Sequence, residues 1–230
     1  MNRKEKLLIL CCHGVYHQGK FYAERQEKSV YENHLRESIN ALRKGEYDAL
    51  IISGGYTKPQ IEGSEARGYL DWADDIGIDR AGITIILEEY ARSSVENLLF
   101  SMCRFYQYFG YFPKEVSIST LVWKNNWFEK VIGNNLRLPN ICFLKIKGEE
   151  EKLREIKGAV LPNRDEVAEK NMPDPLERLS AKKVQQRDPW KKGNPYVGLP
   201  ELKEIFEVLD QMEREKSSSL PVDFKFPWED

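Results

Sequence analysis

Neither a GxGxxG dinucleotide fingerprint nor a GxxxxGK[ST] phosphate loop occurs in the 230 residues, so the two commonest nucleotide sites have no direct support. Cysteine is scarce. Cys11, Cys12, Cys103 and Cys142 show no CxxC spacing and fall in apolar segments, which favours buried free thiols in a reducing compartment over a disulfide framework or a zinc site. His13 and His17 have the spacing of two metal ligands on a helix, but Gly14 and the loop setting argue against a helix there. No apolar run approaches the roughly 20 residues of a spanning helix. The run Leu7 to Cys12, behind Arg3, Lys4 and Lys6, is shorter than a signal-peptide core and leads into His13-Gly14 instead of a cleavage site. An excess of one charge is also missing: 35 Lys and Arg against 37 Asp and Glu leave a net charge of -2. That balance excludes a basic nucleic-acid groove and a disordered acidic chain. The chain is therefore expected to be cytoplasmic, with neither nucleic acid nor membrane as partner.

What is present is a repeated alternation of apolar runs and helical patterns. Leu7 to Cys12 is apolar without alternation, as in a strand covered on both faces. Further strands are predicted at Ala49 to Ile52, Ile83 to Leu87, Val116 to Ser119 and Ile141 to Ile146. Helices are predicted from Glu27 to Arg43, from Ser64 to Gly77, from Ser93 to Gly110 and from Trp123 to about Leu138, with Gly45, Gly77 and Gly110 as stops. One helical segment between successive strands implies right-handed βα units. The expected fold is a Rossmann-like three-layer α/β/α sandwich with a parallel sheet of about five strands, over residues 1–148. A mostly helical, charged, Pro-interrupted extension follows over 149–215, including an amphipathic helix at Leu199 to Met212. A tail over 216–230 carries Leu220, Phe224, Phe226 and Trp228, which are expected to dock on the body.

In an open parallel sheet, ligands bind beyond the carboxyl ends of the strands. The loops there bring His13, Gly14, Ser53, Gly54, Gly55, Glu65, Glu88, Arg92, Ser93, Ser94, Glu96, Asn97 and Lys124 along one rim. Lys20 and Arg25, in the loop after the first strand, are further candidates to meet an anion. Glycines at a strand end allow backbone amides to approach an anion. Ser93 and Glu96 have capping-box spacing, in which Ser93 accepts from the Glu96 amide and the carboxylate reaches back to the Ser93 amide. That box is either a helix cap alone or a cap with a ligand contact. A Cys12-His13 nucleophile and base is disfavoured, since adjacent strand residues point to opposite faces.

At these residues the chain resembles the domain of unknown function 218 family, the YdcF-like and SanA-like proteins. The matching pieces are the first strand and its glycine-containing loop, Ser53-Gly54-Gly55, Ser64-Glu65-Ala66, and a carboxylate followed by Ser94-x-Glu96-Asn97. EEYARSSVENLLFSMCRF and CCHGVY resemble the fungal-type branch most. The resemblance covers residues 7–147 and, more weakly, KKGNPYVGLPEL near the C-terminus, and it implies a Rossmann-like sandwich with a polar pocket and S-adenosylmethionine as a possible ligand. It matches Glu88 or Glu89 to the family carboxylate, with Glu88 preferred. The chain departs from the family at Ser93, where Asn is commoner, and at Lys124-Asn125-Asn126-Trp127, and the membrane anchor of some members is not expected here.

Three functions are open on this basis. The first is an enzyme hydrolysing or transferring a group on a phosphate- or nucleotide-bearing metabolite. In it Gly54, Gly55 and the amides near Ser94 hold the anion, Lys124 and Arg92 balance its charge, and Glu65 and Glu96 act as acid and base. The second is a non-catalytic ligand-binding module. The third is an interaction protein whose aromatic tail docks on a partner.

Overall fold

The computed structural model describes residues 4–23, 27–138, 141–157, 186–215 and 220–229. Arg25 and the prolines at 162, 173 and 175 lie outside them. Five strands, β1 (Lys6–Cys11), β4 (Ala49–Ser53), β5 (Ile85–Glu88), β6 (Glu115–Ser119) and β7 (Ile141–Phe143), form one parallel sheet in the order β5-β4-β1-β6-β7. Every adjacent pair is parallel, with Leu7 opposite Ala49 on one side and Val116 on the other. The chain builds outward from β1 to β5, then crosses back to place β6 on the other side of β1. This is the expected Rossmann-like three-layer architecture, and its order reverses between β1 and β6, where the carboxyl ends open a crevice.

The continuous apolar run of β1 serves two cores. Leu7, Ile9 and Cys11 face one layer and Leu8, Leu10 and Cys12 the other, because successive side chains of a strand point to opposite faces. Helix α1 (Lys28–Arg43) and helix α2 (Glu65–Asp75) cover the second layer. Helix α3 (Ser94–Phe109) covers the first and ends at Gly110, whose φ of 78° gives the left-handed cap. A 3₁₀ turn (Val122–Lys124) leads into a π-helical stretch (Trp127–Gly133) that sinks Trp127 and Phe128 into the same core.

The structure departs from expectation in four places. The segment after β1 is a hairpin, β2 (Gly14–His17) and β3 (Lys20–Ala23), joined by Gln18 and Gly19 at φ 48° and 76°. Positive φ at both central residues is the turn that matches strand twist. β5 begins at Ile85 and runs through Glu88, and β7 stops at Phe143. Cys142 is exposed, unlike the other three cysteines, and all four are free.

Beyond β7 come α4 (Glu149–Lys157), a 3₁₀ turn (Pro200–Leu202) and α5 (Lys203–Glu215). Leu202, Ile205, Phe206 and Met212 join the α3 core. So do Phe224, Phe226 and Trp228, whose indole N–H donates to the Leu136 carbonyl at 2.8 Å. The tail docks on the body as expected. Its aromatics Phe224, Phe226 and Trp228 are buried against the body. Among the described residues, no helix is long and apolar enough to cross a membrane.

Candidate functional site

Ser53-Gly54-Gly55 ends β4 and is bonded on every side. The Gly54 N–H donates to the Glu88 carbonyl at 3.0 Å and the Gly55 N–H to the Ala91 carbonyl at 2.7 Å. The glycine carbonyls accept from the first amides of α2: Glu65 to Gly55 and Ala66 to Gly54, both at 3.0 Å. A Cβ on Gly54 would lie 2.7 Å from the Cys12 Cβ, and one on Gly55 would lie 2.6 Å from the Ala91 oxygen. Glycine is required here by close packing. This corrects the expectation that these amides cradle an anion, since both donors are already used.

Gly14 also has a packing role. As the first residue of β2 it leaves no room for a Cβ, which would sit 2.5 Å from the Tyr22 oxygen. Lys20 lies in β3 and is exposed.

The turn from β5 into α3 forms half of the expected box. Ser93 is extended and its hydroxyl accepts from the Glu96 amide at 3.2 Å. The Glu96 carboxylate bypasses Ser93 and takes the Arg92 amide at 2.6 Å and the Arg92 guanidinium at 2.5 Å and 3.0 Å. Both Glu96 oxygens are thus occupied, and burial raises its carboxyl while Arg92 opposes the rise. Arg92 also lies 4.0 Å from Asp188. The structure makes this pair a strut, leaving neither the free acid nor the free cation that the sequence suggested. Asn97 is a strut as well, donating to the Ser53 carbonyl at 3.2 Å. Ser94, the first residue of α3, is half-buried.

Glu88 is sealed beneath this turn. It is 0% exposed, meets the Ser53 hydroxyl at 2.6 Å, and accepts from the Tyr90 amide at 2.8 Å and the Tyr196 hydroxyl at 3.4 Å. Burial lifts its carboxyl to about 7 against the pull of Ser53 and Tyr90. Its neighbour Glu89 faces outward, accepts from Ser64 at 2.8 Å and approaches Arg67 at 3.9 Å.

Three residues from the expected set remain together at the rim: Glu65, His13 and Lys124. Glu65 is 5% exposed and accepts from the Thr57 hydroxyl. Burial pushes its carboxyl up. The Thr57 bond opposes this, followed by the positive charges of Arg187, Lys58 and Lys124. Lys124 Nζ is 3.5 Å from His13 Nδ1, and the His13 ring stacks on Tyr31 at 5.1 Å between centroids. The charges that act most on this buried carboxylate are thus all positive, an environment that favours an anion.

Sequence reasoning missed Thr57, Lys58 and Arg187. Thr57 and Lys58 follow the glycine pair, so closer attention to that loop could have found them. Arg187 carries no local signal. It belongs to a strap that crosses the rim, where Trp190 Nε1 donates to the Lys58 carbonyl at 3.0 Å and Tyr196 reaches Glu88.

The Cys12-His13 dyad remains disfavoured. Cys12 is buried and its thiol is pushed well above the usual range by burial, with Glu65 adding to the effect. Among the described residues, no three His, Cys, Asp or Glu side chains gather as a metal site. No family model matches the chain, and no curated protein or solved structure matches it.

Proposed function

We propose that this chain binds a small phosphate- or nucleotide-bearing metabolite at the carboxyl edge of the sheet, and that Glu65 serves as acid or base when a group on it is hydrolysed or transferred. The observation that carries the proposal is the position of Glu65 among Lys58, Lys124 and Arg187, each from a different loop. A carboxyl whose proton is held more tightly by burial is the kind of group that can serve as acid or base. The cations supply the charge complement that the spent glycine amides do not. Membership of the domain of unknown function 218 family, suggested by the motifs quoted above, and a cytoplasmic location, suggested by the free cysteines, are part of this reading.

A second reading, a non-catalytic binding module, is favoured by Glu96, whose bonds to Arg92 leave Glu65 without a partner acid. S-adenosylmethionine is the ligand that the family resemblance suggests for it. Its carboxylate would fall to Lys58, Lys124 or Arg187, because Gly54 and Gly55 have no free amide to offer.

Thermal-shift titration with inorganic phosphate, nucleotides, sugar phosphates and S-adenosylmethionine tests both readings. A ligand at 100 times its dissociation constant stabilises by about 2.7 kcal/mol. Lys124→Ala is expected to weaken the response at least several-fold, and a flat screen overturns the site. Glu65→Gln then separates the readings: turnover lost with binding kept supports an enzyme, while binding with no turnover in either protein supports the module.

A further inference from the structure

A second polar cluster lies on the other side of β6 from α3, where Ser38 of α1 and Ser117 of β6 are also buried. Ser119 ends β6 at the point where strand order reverses, opposite Leu10 of β1. Its hydroxyl is 3.0 Å from Nδ1 of His34 on α1, and Nε2 of the same ring is 3.2 Å from Oε1 of Glu149 at the start of α4. Ser119, His34 and Glu149 are 0%, 1% and 6% exposed. Three elements distant in sequence thus bring a hydroxyl, an imidazole and a carboxylate into line.

The chemistry of the pair fixes the roles. A carboxylate only accepts, so Glu149 beside Nε2 favours the tautomer with the proton on Nε2 and the lone pair on Nδ1. Ser119 is then the donor, and its proton already points at a base. The same order of nucleophile, base and orienting acid activates serine on unrelated folds. A purely structural tie would be expected to satisfy both ring nitrogens. Here the Nε2 contact with Glu149 is close, but it is not aligned as a hydrogen bond, and Glu149 also accepts from the Val122 amide at 2.9 Å. Imperfectly paired buried polar groups cost stability and concentrate at functional sites.

We propose that Ser119, His34 and Glu149 form a nucleophile, base and carboxylate relay that hydrolyses small uncharged acyl esters. Leu10, which pairs with Ser119, shares a hydrophobic cluster with Tyr31, Leu121 and Leu153, surroundings that suit an acyl group. Ser119 Oγ attacks the ester carbonyl carbon as its proton passes to His34 Nδ1. The bond to the leaving oxygen breaks, and that oxygen takes the proton from Nδ1. Water then attacks the acyl-serine, His34 takes the proton from the water and returns it to Ser119, and the carboxylic acid leaves. Entry to Ser119 requires α4 to shift on α1. This proposal is independent of the anion site at Glu65.

The test is labelling of the full native chain with diisopropyl fluorophosphate and with phenylmethylsulfonyl fluoride, read by intact mass and peptide mapping. One adduct on Ser119 is expected, together with a burst of product from p-nitrophenyl acetate. His34→Gln should slow labelling by about 100-fold or more, the usual weight of a general base, with its thermal melt checked alongside. Should His34→Gln fail to fold, peptide mapping of the unaltered chain decides. No adduct at Ser119 under conditions that fully label a standard serine esterase overturns the relay. Equal labelling rates with and without the imidazole in folded protein also overturn it and leave the cluster as a tie between α4 and α1.

Discussion

Replacing Glu88 by glutamine isolates the cost of burying one acid. The rise of its carboxyl from 4.5 to about 7, at about 1.36 kcal/mol per tenfold change in proton affinity, is worth about 3 kcal/mol. Between those values the native chain holds a proton that the unfolded chain has released. Stability therefore falls as pH rises from about 4.5 and levels off above about 7. Glutamine mimics the neutral acid. Its carbonyl can accept from Tyr90 and Tyr196, and its amide can donate to the Ser53 hydroxyl, which itself reaches the Asn97 carbonyl at 3.4 Å. Urea unfolding of both proteins from pH 4 to 8 is the assay. The variant should match the parent near the acid end and exceed it by about 3 kcal/mol at neutral pH. Glu65 is also raised and bends both curves alike, whereas the charge of Glu96 acts on Glu88 and contributes to the difference. Parallel curves across the range would show that Glu88 is charged at no cost, and the reasoning would fail.

Three further outcomes follow from the geometry. Arg92→Met should destabilise by about 3–5 kcal/mol in urea unfolding because it strands the buried Glu96, and the double change to Met at both positions should restore most of the loss. Gly54→Ala should lower stability by about 1–3 kcal/mol, the usual cost of overpacking, since its Cβ has Cys12 and Glu65 in its place. Ellman's reagent should titrate one thiol rapidly in the native chain, Cys142, and four in denaturant. Burial pushes Cys11 to about 12 and raises Cys12 and Cys103 as well, and equal rates for several thiols would refute the burial assignments.

The parallel sheet was legible because β1 and β4 are apolar on both faces, each of which meets a helical layer, and the glycines at 45, 77 and 110 mark helix ends by their positive φ. The hairpin was missed although Gln18-Gly19 sits between Val15-Tyr16 and Phe21-Tyr22. Its turn lacks the usual Asn or Asp, and the preceding glycine suggested a ligand loop. At the rim, residue type was readable but hydrogen-bond state was not. Glu65 and Glu96 are both acids at a helix start, yet one is bonded to Thr57 under the influence of cations from distant segments and the other is tied to the adjacent arginine. Ser119, His34 and Glu149 meet only after three elements have packed, so no spacing in the chain announces them.

The central place of β1 sets a hazard during folding. This strand is made first, yet its edges pair with β4 and β6, which arrive later. Until then Lys6–Cys11 presents an unpaired apolar strand with two open edges, a template for pairing with other chains. A charge introduced at Leu8 or Ile9 would protect the nascent strand from self-association and at the same time ruin the finished core. Aggregation propensity and native packing are therefore opposed at the same six residues.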